Sequence, residues 1–115
     1  MKHGDVFWAD LVARSGSEQS GRRPVIIISH DGFNQTPNWR SIIVVPVTTS
    51  DAQSRRALTV VPLAKGVAAL QDSSVAVCHQ VTTIDRSKLS RQLGSLPADA
   101  LKMVEHGLKA AMDLE

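Results

Sequence analysis

Four polar side chains fall where loops meet runs of β-branched residues. Glu18 and Gln19 lie in a polar stretch, Arg23 stands just before the run PVIII, and Thr48 ends the run IIVVPV. A guanidinium is planar, permanently charged and forked to meet two phosphate oxygens. A threonine hydroxyl can donate a hydrogen bond or orient a neighbouring group, and a carboxylate can accept a proton if burial lifts its pKa toward neutrality. Taken singly, each has an ordinary explanation: a solvated loop carboxylate, a surface ion-pair residue, a hydroxyl capping a strand end.

Other chemistries lack their motifs. The sequence has no phosphate-cradling glycine loop, no dinucleotide fingerprint and no nucleophile elbow. The four histidines, His3, His30, His79 and His106, are scattered. Cys78 and His79 are neighbours on an expected strand, so their side chains should point to opposite faces and could not share one metal ion. A single cysteine leaves no internal disulfide and no cysteine-rich zinc site. The expectation is an activity with no metal and no other cofactor.

The elements that must position these groups are mostly strands. Residues 5–11 (DVFWADL) read as a first strand, and 24–29 (PVIIIS) and 41–47 (SIIVVPV) as strands buried on both faces. Residues 58–62, 74–80 and 90–93 read as further strands, and several short strands between turns favour a compact barrel or sandwich. Polar loops at 12–22, 31–40 and 48–56 are where binding groups would sit on such a scaffold. Leu101, Val104, Leu108 and Ala111 recur at helical steps and mark an amphipathic C-terminal helix. Pro97 fits its first turn, and Asp99 would face the positive end of the helix dipole. Gly107 inside it costs about 1 kcal/mol relative to Ala, which points to close packing there.

With 115 residues, 43% of them hydrophobic, the chain can fill one core, and 1–115 is expected to be a single domain. The net charge of +2 is too small to indicate nucleic-acid binding by itself. Placement says more: Arg14, Arg22, Arg23, Arg40, Arg55 and Arg56 all fall in or beside loops of the first half. No apolar stretch nears the ~18 residues of a membrane span, so no membrane association is expected. Residues 1–10 lack the features of a secretory signal, which favours a cytoplasmic location.

Read together with their flanks, the polar groups form a longer pattern. GSEQSGRRP at residues 16–24 resembles the signature of the MazF/PemK family of toxin ribonucleases. Gly4, Asp5 and Trp8 to Leu11 match that family's opening strand, Phe33-Asn34 its asparagine-containing loop, and VPVTT at 45–49 the strand ending in its threonine. Asp72-Ser73-Ser74-Val75, then HQVTTID at 79–85 and LGSL at 93–96, are similar to its later blocks. Order and spacing hold over nearly the whole length.

The resemblance implies a mainly β, β-rich α+β fold: a compact SH3-like β-barrel with short connecting helices and a C-terminal amphipathic helix. It also implies a homodimer that cleaves single-stranded RNA such as mRNA at short sequence motifs without a metal, and a cognate antitoxin that neutralises it. By matching motif, Arg23 and Thr48 correspond to the family's catalytic pair, and Glu18 to a residue implicated in some members. PemK-type members centre the reaction on other residues, including an Arg–Asp pair. Arg55-Arg56 lie near that region, but no Asp stands in the matching context, so that version is not carried over.

RNA cuts itself when its 2′-hydroxyl loses a proton and attacks the adjacent phosphorus. The attack is helped by a base near the hydroxyl, positive charge on the phosphorane oxygens and a proton for the departing 5′-oxygen. Arg23 suits the second task, since a guanidinium holds its proton too tightly for acid catalysis. Thr48 would bond the phosphate or orient the 2′-hydroxyl, and Glu18 would take the proton. His30 and His79 are rival bases by chemistry but read as structural. Gln19, Arg22, Thr49, Ser50, Arg55, Arg56, Gln80 and Trp39 complete the expected RNA contacts. Unpaired bases are read by stacking and by their exposed edges, and with two Trp, two Phe and no Tyr the platforms reduce to Trp39, Phe33 and Trp8. Trp8 fits better in the core, and Trp39 as a base or dimer contact. The alternative is a toxin of related fold that does no chemistry and inhibits a target such as DNA gyrase, as CcdB does; a further one is an RNA-binding module that has lost activity. The Arg-Pro and Thr positions favour the ribonuclease.

Overall fold

Each β-branched run becomes a strand of one antiparallel assembly. The structure, a computed structural model, describes residues 1–12, 21–49 and 57–114. Among these, the elements run β1 (Asp5–Leu11), β2 (Gly21–Ile27), α1 (Asp31–Asn34), β3 (Ser41–Thr48), β4 (Val60–Leu63), β5 (Ser74–Val77), β6 (Thr82–Asp85), β7 (Leu89–Ser95) and α2 (Ala98–Met112). The strands pair in the order β4-β5-β3-β2-β1-β7, with β6 also on β3.

The central strands are apolar on both faces because both faces are covered. Ile26, Val45 and Val47 pack with Val6, Val61, Ala76 and Cys78 against Val104 and Leu108 of α2. Val25, Ile27, Ile42 and Val44 face the other way, packing with Ala9 and Leu11 and with the half-buried Phe7, Ile84 and Leu89. That second cluster draws on β1, β6 and β7 together. The sheet therefore curls until its outlying strands share one core, giving the barrel-like, mainly β fold with a C-terminal helix that the sequence implied.

The expected strand at 74–80 divides. β5 stops at Val77, Cys78–Gln80 form a 3-10 turn, and β6 follows. The division arises because one edge of β3 serves two partners. Val47 and Thr48 pair with Ala76 and Val75, whereas Ser41 to Val44 pair with Asp85 to Thr82. Cys78 and His79 thus lie in a turn rather than alternating along a strand; Cys78 is buried and His79 exposed.

α2 is seated where the periodicity placed it. Pro97 is its N-cap, just outside the first turn, and Asp99 lies within that turn. Gly107 is buried, and a Cβ there would stand 2.7 Å from Cys78 Sγ and 3.2 Å from Val61 Cγ2. A second tie holds the helix from the N-terminus: His3 Nε2 meets Glu105 Oε2 at 2.8 Å and His3 Nδ1 meets the Ile28 carbonyl at 3.1 Å. No helix among the described residues is long and apolar enough to cross a membrane.

Candidate active site

Strand register brings the two matching residues together. β2 and β3 pair antiparallel through Val25↔Pro46, Ile26↔Val45 and Ile27↔Val44. Carried two residues outward, the same register sets Arg23 opposite Thr48. Their side chains meet there, Arg23 Nη1 donating to Thr48 Oγ1 at 3.5 Å. A bond at the long limit of hydrogen bonding is readily exchanged for a shorter, charge-assisted one to a phosphate oxygen. Thr48 is 5% exposed and caps a strand whose preceding residues, Pro46 and Val47, are fully buried. The hydroxyl is therefore held by the core itself.

Both residues line a cleft of about 180 Å³ with Trp8, Arg22, Thr49 and Ser74 among its walls. At ~30 Å³ per water this admits a phosphodiester linkage but not a duplex. Trp8, expected in the core, lines the cleft instead. The β1–β2 register puts Trp8 opposite Pro24 and Asp10 opposite Arg22, so Arg22 lies diagonal to Trp8 on the same face. Its Cζ sits 5.1 Å from the Trp8 ring centroid, a cation–π contact. Trp8 Nε1 is buried and finds no acceptor among the described residues. Leaving such a donor unmet costs roughly 1–3 kcal/mol. Ser74, buried beside Thr49, donates its hydroxyl to the Asp72 carbonyl at 2.8 Å.

Comparison with known proteins decides the family. A profile described as "PemK-like, MazF-like toxin of type II toxin-antitoxin system" matches residues 2–112. The chain belongs to that family. It is 32% identical over 114 residues to a protein of Staphylococcus saprophyticus named Endoribonuclease MazF, covering 99% of this chain and 92% of that one. Among solved structures, the Mycobacterium tuberculosis toxin MazF-mt6 is 27% identical with a TM-score of 0.78, covering 96% of this chain and 98% of its own. A MazE-MazF structure from Deinococcus radiodurans is 25% identical with a TM-score of 0.74, covering 100% of this chain and 97% of that one.

Of the other contacts expected of this PemK/MazF-family toxin, Arg22 and Thr49 line the cleft with Arg23 and Thr48. Glu18, Gln19, Ser50, Arg55 and Arg56 lie outside the described residues. Thr49 is an exposed wall of the cleft. Gln80 ends the turn between β5 and β6 and is half-buried; it is not among the described residues lining the cleft. Trp39 precedes β3 at the end opposite Thr48, which at ~3.3 Å per residue is roughly 30 Å away within one chain. It stacks on Phe33 with centroids 4.5 Å apart, and its Nε1 donates to the Ser41 carbonyl at 2.7 Å.

Arg86, which no sequence signal singled out, builds that remote loop. Its guanidinium donates to the carbonyls of Trp39, Asn34, Phe33 and Thr36 at 2.8–3.2 Å. The histidines take structural partners: His30 Nδ1 accepts from the Gly32 amide, capping α1, and His79 Nδ1 meets Thr59 Oγ1 at 2.7 Å. Two groups away from Arg23 and Thr48 carry strong pKa shifts. Burial pushes the Cys78 thiol up to about 11. The Arg40 guanidinium, then Ser87, hold the Asp85 carboxyl well below the usual range. Among the described residues no three His, Cys, Asp or Glu side chains converge to hold a metal ion.

Proposed function

We propose that this chain, an endoribonuclease toxin, cuts single-stranded RNA such as mRNA in the Arg23–Thr48 cleft. The 2′-hydroxyl attacks the adjacent phosphorus, the 5′-oxygen leaves, and a 2′,3′-cyclic phosphate remains. The observation that carries this reading is the 3.5 Å guanidinium–hydroxyl contact at the wall of a phosphodiester-sized cleft. Arg23 stabilises the charge that builds on the phosphorane oxygens, an interaction stronger in the transition state than before it. Thr48 fixes the phosphate or the 2′-hydroxyl from its buried strand end. Glu18 is the candidate base, and Arg22 and Thr49 guide the strand. No step needs a metal.

The partners follow from the family. A type II system pairs the toxin with a cognate antitoxin, and the D. radiodurans relative is a MazE-MazF assembly. An antitoxin covering the positively charged cleft would exclude RNA by occupancy. A homodimer, a cytoplasmic location where mRNA is met, and action of 1–115 as one domain complete the reading. The name of the S. saprophyticus relative supports the ribonuclease over the gyrase-inhibiting alternative.

The test is chemical. Purified protein incubated with a long single-stranded RNA in EDTA should yield discrete fragments with 5′-hydroxyl ends and 2′,3′-cyclic phosphate or its 3′-phosphate opening product. Intact RNA beside inhibited DNA gyrase would transfer the toxin to the non-catalytic class.

A further inference from the structure

The chain has two tryptophans, and their indole N–H groups are treated oppositely. Trp39 Nε1 is satisfied by the Ser41 carbonyl. Trp8 Nε1 is buried with no acceptor among the described residues, although its residue lines the cleft that holds Arg23 and Thr48. Buried polar groups in native proteins are nearly always paired, so an orphan at a binding cleft marks the place of a missing acceptor. We propose that Trp8 is a substrate-binding residue whose indole N–H donates to a phosphate oxygen of the RNA backbone beside the scissile linkage. The proposal rests on the ribonuclease reading and adds to it a contact that the family pattern does not assign here.

Charge selects phosphate over a neutral base carbonyl as the acceptor. The Arg22 guanidinium lies over the Trp8 ring, and Arg23 follows it along β2 into the same cleft. The carboxylate that the β1–β2 register brings beside Arg22 is the exposed Asp10. An anionic oxygen entering between these groups gains charge-assisted bonds from both arginines and from the indole. In binding that phosphate the Arg22 side chain leaves the ring face of Trp8. That exchange replaces an exposed cation–π contact by a stronger ion pair.

A phosphate contact positions the strand without reading sequence. Its loss should weaken ground state and transition state alike and appear in KM rather than kcat. In Trp8→Phe, which keeps the ring and removes the donor, KM for RNA should rise about tenfold, the scale of one hydrogen bond to a charged group. The rise should be the same at every cut site, with kcat little changed.

A second measurement uses the wild-type protein. Two indole N–H signals are expected in a nitrogen-15 NMR spectrum, and Trp39→Phe identifies which belongs to Trp8. Titration with a 2′-O-methylated RNA of mixed sequence, which cannot be cut, should move the Trp8 signal downfield and leave Trp39 in place. A Trp8 signal that stays put at saturating RNA overturns the proposal, as does a folded Trp8→Phe protein with wild-type KM. Either result with wild-type cleavage intact leaves the ribonuclease reading standing. Absence of cleavage by the wild-type protein sinks both.

Discussion

Gly107→Ala sets two effects of opposite sign against each other. In an exposed helix interior the change would stabilise by about 1 kcal/mol, through restricted backbone freedom. At this position the new Cβ would stand 2.7 Å from Cys78 Sγ, 3.2 Å from Val61 Cγ2 and 3.4 Å from Cys78 Cβ. Unstrained heavy-atom contacts lie nearer 3.5–4.0 Å, so α2 must lift from β4 and the Cys78 turn or the thiol must swing away. Overpacking of this kind costs about 1–3 kcal/mol. The clash also strains the Cys78 Sγ contact to the Val104 carbonyl at 3.6 Å. The expected net effect is a loss of up to about 2 kcal/mol, or up to about 8 °C in Tm. Urea unfolding followed by circular dichroism measures it. In a Cys78→Ala background the nearest atom is gone, and Gly107→Ala should become neutral or stabilising, a coupling of at least ~1 kcal/mol. A Gly107→Ala protein as stable as wild type, with no coupling to Cys78, would refute this account of how the helix is seated.

Two further expectations concern the same core and the remote loop. Burial raises the Cys78 thiol from 9.0 to about 11, so above pH 9 the unfolded chain sheds a proton that the folded one keeps. This contribution is intact below pH 9 and falls by about 1.4 kcal/mol per pH unit up to about pH 11; Cys78→Ala should remove that slope from the stability profile. Arg86→Ala removes one donor from each of four loop carbonyls, of which Phe33 O and Thr36 O keep a backbone amide, and should cost about 1–2 kcal/mol. Acrylamide quenching should show a more accessible Trp39, and unchanged quenching with unchanged stability would remove Arg86 from its structural role.

The strand pattern was legible where apolar, β-branched runs carried it. β1 spans the residues its sequence pattern marked. β2 starts earlier than its apolar run because Gly21, Arg22 and Arg23 pair with β1 through their backbones, which polar side chains do not reveal. The β5–β6 division was hidden for a different reason. Residues 78–80 contain no Gly or Pro, and the chain turns there because β3 offers two separate pairing stretches on one edge. Arg23 and Thr48 were visible as a motif, and register explains their meeting. Trp8 was visible as a stacking platform but placed in the core, because the apolar pattern that buries Val6 says nothing about where the covering layer stops. Arg86 carried no local signal either; its four carbonyl partners lie 47 to 53 residues away.

The most direct test of the cleft is single-turnover cleavage of one RNA by wild-type, Arg23→Ala, Thr48→Ala and doubly substituted proteins. Each should first be shown folded and able to bind a 2′-O-methylated RNA. Arg23→Ala should slow cleavage by about 10²–10³-fold, with Thr48→Ala also strongly impaired and the double variant little worse than Arg23→Ala, because the two groups act on one phosphate. Near wild-type cleavage by folded Arg23→Ala, or independent and multiplying effects of the two substitutions, would place the chemistry somewhere else on the molecule.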